Sequence, residues 1–188
     1  PNVEAVHLFD DWMTPTASPA LIERLGRPTL ASLHEFPLLG APGGFGEKFS
    51  TLGWTEETVH FGDIVQAGTA VLQVSQGRQP CWKLNDRFGE PRMAGRLQAS
   101  GRTGWYYRVI EPGAVAAGGT LRILERPYPQ WPLSQLVQML FHRTLDHALL
   151  ESASELPLPP SWQKLIRHRL ERNQVESWSK RLEGPSDD

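Results

Sequence analysis

From Asp63 to Leu124 the chain is cut into short runs by glycine and proline, and this punctuation limits the fold more than any other feature. Glycine (17) and proline (16) are too frequent among 188 residues for a helical bundle. Each glycine costs backbone entropy in a helix, and each proline removes a hydrogen-bond donor. The runs between them alternate. In Thr69–Val74, Ala70, Leu72 and Val74 face one way and Val71 and Gln73 the other, the period of a half-buried strand. Asp63–Gln66 reads as the strand before it, with Ala67-Gly68 as the hairpin turn. Trp105–Ile110 is aromatic and β-branched, with Trp105, Tyr107 and Val109 on one face. Pro112-Gly113 is a turn, and Gly118-Gly119 leads into a strand over Thr120–Leu124. Short strands of this kind build a barrel or a sandwich. One helix interrupts them, around Arg92–Ala99, and Gly101 stops it.

The period then changes. Leu133, Leu136, Val137, Leu140 and Phe141 fall at i, i+3, i+4, i+7 and i+8, the stripe of an amphipathic helix. A second helix is expected near Asp146–Ser154, broken by the prolines of Leu156–Pro160. Ser161 is expected to cap a third, in which Trp162, Leu165, Ile166 and Leu170 repeat the stripe and which Trp178 and Leu182 extend. Arg167, Arg169 and Arg172 read as its solvated face, diluted by Glu171 and Glu176. Three short helices bury little alone, so they must pack on each other or on the strands. Residues 1–42 read mostly as loop around Pro15, Pro28, Pro37 and Pro42, with a short helix over Pro19–Leu25 capped by Ser18. The predicted organisation is a mainly β barrel region over residues 1–126, a small three-helix region over 127–183, and a disordered tail over 184–188.

Charge narrows the function. Lys and Arg total 19 against 21 Asp and Glu, a net charge of -2, which argues against a nucleic-acid partner. No apolar run approaches the roughly 20 residues of a membrane span. The single cysteine excludes an internal disulfide and a multi-cysteine zinc site, and it is compatible with a reducing cytoplasm. His7, His34, His60, His142, His147 and His168 are scattered without HExxH spacing.

That cysteine marks the most informative stretch, Gln76-Gly77-Arg78-Gln79-Pro80-Cys81-Trp82-Lys83-Leu84-Asn85. It follows the clearest strand directly, so Cys81 is expected in a loop held by Gly77 and Pro80. Arg78 and Lys83 bracket it, with Arg87 close by. Cations favour a thiolate over a thiol, and a thiolate is both a nucleophile and a soft metal ligand. A lone cysteine packed as a small hydrophobe is the other reading. His60 is a candidate partner for Cys81 as a Cys–His pair. A second cluster, Gly43-Gly44-Phe45-Gly46-Glu47-Lys48, is either an anion cradle of backbone N–H groups or simply a loop. Trp105, Tyr106 and Tyr107 suit stacking on a planar ring or core packing.

The segments PGGFGEKFSTLGWTEETVHFGD (Pro42–Asp63), VLQVSQGRQPCWKLNDRFG (Val71–Gly89) and SGRTGWYYRVIEPGAV (Ser100–Val115) resemble the MOSC domain, named after the C-terminal domain of molybdenum cofactor sulfurases. The match is closest to bacterial stand-alone MOSC proteins linked to hydroxylaminopurine resistance, in which a three-helix domain follows the barrel. The resemblance implies a β-barrel like that of pyruvate kinase, and binding of the molybdenum cofactor, a pterin with a dithiolene and a phosphate. It implies Cys81 as catalytic molybdenum ligand or sulfur carrier. Arg78, Lys83 and Asn85 would meet the phosphate or pterin, and Phe45, Gly46 and Glu47 would line the pocket.

Two residues depart from the family pattern, Lys48 where Asn is usual and Gln79 where Ser is usual. The stretch Pro1–His7 resembles the piece just after the family's His-Gly-Gly segment, with His7 matching a later histidine. The resemblance therefore implies a barrel whose first strands precede this sequence. The implied activity is reduction of N-hydroxylated small molecules such as hydroxylaminopurines, in the cytoplasm. A separate electron-donor protein is implied, since one cysteine cannot hold an iron–sulfur cluster and no flavin motif is visible. A homodimer is compatible with this reading. The rival readings are a carrier bearing a Cys81 persulfide and an inactive β-barrel binding module. A pyridoxal phosphate site, discussed for some members, has no support here beyond Lys83 being a lysine near the site.

Overall fold

The computed structural model describes residues 6–7, 14–17 and 45–185. The predicted helix over Pro19–Leu25, the glycines Gly43 and Gly44, and residues 186–188 of the expected tail lie outside the described residues. The strands are β1 (Val6–His7), β2 (Thr14–Ala17), β3 (Phe49–Ser50), β4 (Ile64–Ala67), β5 (Ala70–Gly77), β6 (Trp105–Glu111), β7 (Ala114–Val115) and β8 (Leu121–Glu125). One sheet runs in the order β3-β2-β6-β5-β4-β8, and β1 pairs with β7. Every pair is antiparallel except β2 with β3. Among the described residues the barrel is not closed: β3 and β8 form the two ends of the sheet.

The alternation read in the sequence sets the register. Ala70, Leu72 and Val74 of β5 are buried; Leu72 lies opposite Val109 of β6 and Val74 opposite Tyr107, which is buried too. A bulge between Val74 and Gln76 then turns β5, and Ser75 bonds the Tyr106 carbonyl at 3.0 Å. The bulge carries the strand on to Gly77, which pairs with Trp105.

The helices are α1 (Lys83–Phe88), α2 (Met93–Ser100), α3 (Leu133–Phe141), α4 (His147–Ser154), α5 (Pro160–Arg172) and α6 (Ser179–Glu183). All five stripe residues of α3 are buried. Its first amides find partners outside the helix: Leu133 N–H donates to the Val59 carbonyl and Ser134 N–H to the Glu56 carbonyl. Asp146 caps α4 by accepting from Leu149 N–H at 3.1 Å.

Three expectations are corrected. Ser161 does not cap the third helix. Pro159 takes that place and Pro160 opens α5, because the first turn needs no N–H and proline holds the helical φ. Trp178 and Leu182 do not extend α5. Asn173 ends it in the left-handed conformation, φ 48°, and the chain reverses into α6. Arg169 is not on a solvated face. It is wholly buried, while Arg167 and Arg172 are exposed.

One core unites the layers. Leu72, Val74, Trp105 and Tyr107 from the sheet pack with Leu136, Val137, Trp162 and Ile166 from the helices. A smaller cluster, Phe45, Leu84, Phe88, Met93 and Leu97, lies under α1 and α2. At the far side of the sheet, Arg126 grips the buried Asp63 with two hydrogen bonds of 2.9 and 2.8 Å, tying the start of β4 to the end of β8. Among the described residues, no helix is long and apolar enough to cross a membrane.

Candidate functional site

Cys81 lies in a short connection between β5 and α1, and its thiol is free and half-buried. It is not the fully packed residue that an inert cysteine would be. The connection is tighter than the sequence suggests. Gly77 belongs to β5 rather than to a loop, and Lys83 and Asn85 stand on a helix. The helix exists because Leu84 and Phe88, four residues apart, both bury into the smaller cluster. Gly89 then stops it with φ 63°. That spacing and that glycine were the available signal.

Arg78 opens the connection. Its backbone N–H donates to the Gly104 carbonyl at 2.8 Å, and its guanidinium donates to the Phe45 carbonyl at 2.8 Å. Phe45 N–H donates to Glu47, whose other oxygen accepts from Ser50. The Phe45 ring meets Phe88 with centroids 4.9 Å apart. Arg78 and the Phe45–Glu47 segment, separate in the sequence, are thus one unit. Behind it, Gly104 N–H donates to the buried Glu56 carboxylate, and Arg102 bridges Glu56 and Glu57.

Lys83 is exposed on α1, two residues from the buried Asn85 and on the opposite face. The Asn85 amide bonds within the protein: it donates to the Leu182 carbonyl and accepts from Ala94 N–H, both at 2.8 Å. It joins α1, α2 and α6. His7 lies on β1 opposite Ala114, and its side chain is outside the described residues. The His60 backbone bridges Pro132 and its backbone N–H donates to Asp63, while its imidazole Nδ1 is buried without a hydrogen-bond partner among the described residues.

Sequence reasoning missed Arg181. From α6 its guanidinium donates to the Pro80 carbonyl and to Gln98 Oε1, and its carbonyl accepts from Trp82 N–H. Burial lowers the proton affinity of Arg181 below the ordinary guanidinium value, while Cys81 and Glu176 pull it back up. Nothing local marks Arg181, because α6 was read as a continuation of α5.

The assembled site is a half-buried free cysteine with Arg78 and Lys83 beside it in the chain and Arg181 brought to its neighbour Pro80 from α6. Such a thiol suits a soft metal or an anionic electrophile. Among the described residues, no three of His, Cys, Asp and Glu gather to hold a metal ion. A metal arriving within its own chelate needs only one soft donor, and Cys81 is the chain's single thiol.

Comparison with known proteins agrees with these motifs. A family model described as MOSC domain matches residues 14–122, and one described as YiiM-like, 3-alpha helix domain matches residues 131–173. Protein YiiM of Escherichia coli is 38% identical over 159 residues, spanning 80% of this chain and 69% of that protein. A protein named Reductase from Gibberella moniliformis is 37% identical over 129 residues, 68% of this chain but 23% of its own length. The uncharacterized protein YflK of Bacillus subtilis is 36% identical over 129 residues, with 58% of its length covered. The crystal structure of YiiM from Escherichia coli superposes with a TM-score of 0.80 at 31% identity, covering 90% of this chain and 82% of that one.

Proposed function

The chain belongs to the MOSC domain family, and from that membership we propose that it binds the molybdenum cofactor through Cys81 and reduces N-hydroxylated small molecules such as hydroxylaminopurines. The observation that carries this reading is the state of Cys81: a single free thiol, half-buried, at a strand-to-helix junction rich in cations. In this reading the Cys81 thiolate holds molybdenum, and Arg78 and Lys83 meet the cofactor's phosphate. Phe45, Gly46 and Glu47 form the wall that Arg78 fixes in place. Asn85 keeps α1 docked on α2 and α6 beneath the site, since its amide already bonds to Leu182 and Ala94. His7 is proposed to complete the pocket from β1.

When bound, molybdenum supplies two-electron oxygen-atom chemistry, which suits removal of oxygen from an N-hydroxyl group. The protein's own part is to hold the thiolate, neutralise the cofactor's negative charge and limit water at the half-buried sulfur. The electrons are proposed to come from a separate donor protein. The Gibberella protein's name, Reductase, supports this reading for a related domain.

The test is molybdenum content of protein purified from a host that makes the cofactor. We expect near-stoichiometric metal that disappears in Cys81→Ser while the melting temperature is kept. Molybdenum absent from the unsubstituted chain, with reducible sulfane sulfur on Cys81, would replace this reading by sulfur transfer. Neither metal nor sulfane sulfur would leave a binding module.

A further inference from the structure

Both chain neighbours of Cys81 are held by one residue of the C-terminal helix. The Arg181 guanidinium donates to the Pro80 carbonyl, and the Arg181 carbonyl accepts from Trp82 N–H at 2.8 Å. The guanidinium is itself fixed. It donates to Gln98 Oε1 at 2.5 Å and lies 5.0 Å over the Trp178 ring and 5.8 Å over Phe141. The rest of the segment follows the same surface: the Leu182 carbonyl accepts from Asn85, and Gly184 packs against the Trp82 indole.

We propose that Arg181 is a positioning residue of the Cys81 site: it clamps the segment Pro80-Cys81-Trp82 and sets a fixed positive charge beside the sulfur, so that the site takes anionic rather than neutral thiol-reactive partners. Arginine suits both tasks. It stays cationic when partly desolvated, and its planar fork stacks on aromatic rings while donating at its edges. The electrostatic interaction between Arg181 and Cys81 agrees with this placement. The importance of the clamp for cofactor chemistry rests on the function proposed above. The clamp itself does not, and it is tested on the full chain without metal.

Because the chain has one cysteine, alkylation reads Cys81 alone. The rates with iodoacetate, an anion, and iodoacetamide, its neutral analogue, are compared at low salt. Access and thiolate fraction act on both rates alike, so their ratio reports the local charge. Arg181→Gln is expected to lower the iodoacetate-to-iodoacetamide ratio about fivefold, the effect of one charge a few ångströms away in water. Arg181→Lys, which keeps the charge, is expected to hold the ratio within about twofold of the unsubstituted protein. Lys180→Gln removes an exposed cation on the same helix and is expected to leave the ratio unchanged. Arg181→Met keeps the stem on Trp178 without the charge and gives the same reading as Arg181→Gln where that variant does not fold.

Equal changes in both rates, with the ratio kept in Arg181→Gln or Arg181→Met, overturn the proposal. So does a ratio that falls as far in Lys180→Gln as in Arg181→Gln. The expected ratios together with no molybdenum in protein purified from a cofactor-making host overturn only the cofactor reading.

Discussion

Arg169 is a charged side chain with no exposure to solvent. It is tolerated because every edge of its guanidinium meets an acceptor. It donates to the carbonyls of Met139 (2.9 Å), Leu140 (2.7 Å) and Thr144 (3.3 Å), and to both oxygens of Glu176 (3.1 and 2.7 Å). Arg169→Met should therefore destabilise the protein by about 3–5 kcal/mol, read by denaturant titration, because it leaves buried acceptors without a donor. Burial would raise the Glu176 carboxyl, but the bonds from Arg169, with a smaller contribution from Trp178, hold it below the ordinary carboxylate range. The folded protein then binds fewer protons at Glu176 than the unfolded chain does. Its contribution to stability is present above about pH 4.3, the free carboxyl value, and is lost as pH falls through the folded one. Melting curves at pH 7 and pH 3.5 should diverge less in Glu176→Gln than in the unsubstituted protein. Neither residue's role was legible beforehand. Arg169 lies between the exposed Arg167 and Arg172, and no local pattern separates one buried arginine from a solvated run.

Among the elements, α6 is short and buries no residue of its own, yet it reaches the site because Asn85 and Arg181 tie it there. Asn85→Ala removes one donor and one acceptor from a buried junction. It should cost about 1–3 kcal/mol and raise hydrogen exchange at Ala94 N–H, whose partner is Asn85. Unchanged exchange at Ala94 would show that α2 is held without Asn85. The elements that could be read in advance are those whose signal is local. The stripe from Leu133 to Phe141 and the alternation from Ala70 to Val74 repeat within a few residues, so both appear in the fold. Helix α1 escaped because its apolar pair, Leu84 and Phe88, spans a single turn next to the cysteine motif. The start of α5 escaped because its capping residue is a proline rather than the adjacent serine.

At the scale of the whole molecule, the helical layer rests on the sheet at Gly77. A Cβ there would lie 2.7 Å from Val137 and 3.4 Å from Trp162, so the close approach needs glycine. Gly77→Ala should overpack this contact at a cost of about 1–3 kcal/mol, seen as a lowered melting temperature. A variant with unchanged melting would mean that α3 and α5 yield without cost. The sequence by itself determined the alternation of β5, the stripe of α3, the change from strand to helix near residue 130, and the position of the single thiol. These follow from periodicity, turn residues and composition, which act over a few positions. Tertiary structure alone decided which polar groups meet. Arg181 stands 101 residues from Pro80, and Leu182 stands 97 from Asn85. No local period carries a partner at that distance, because the contact forms only when sheet and helices share one core.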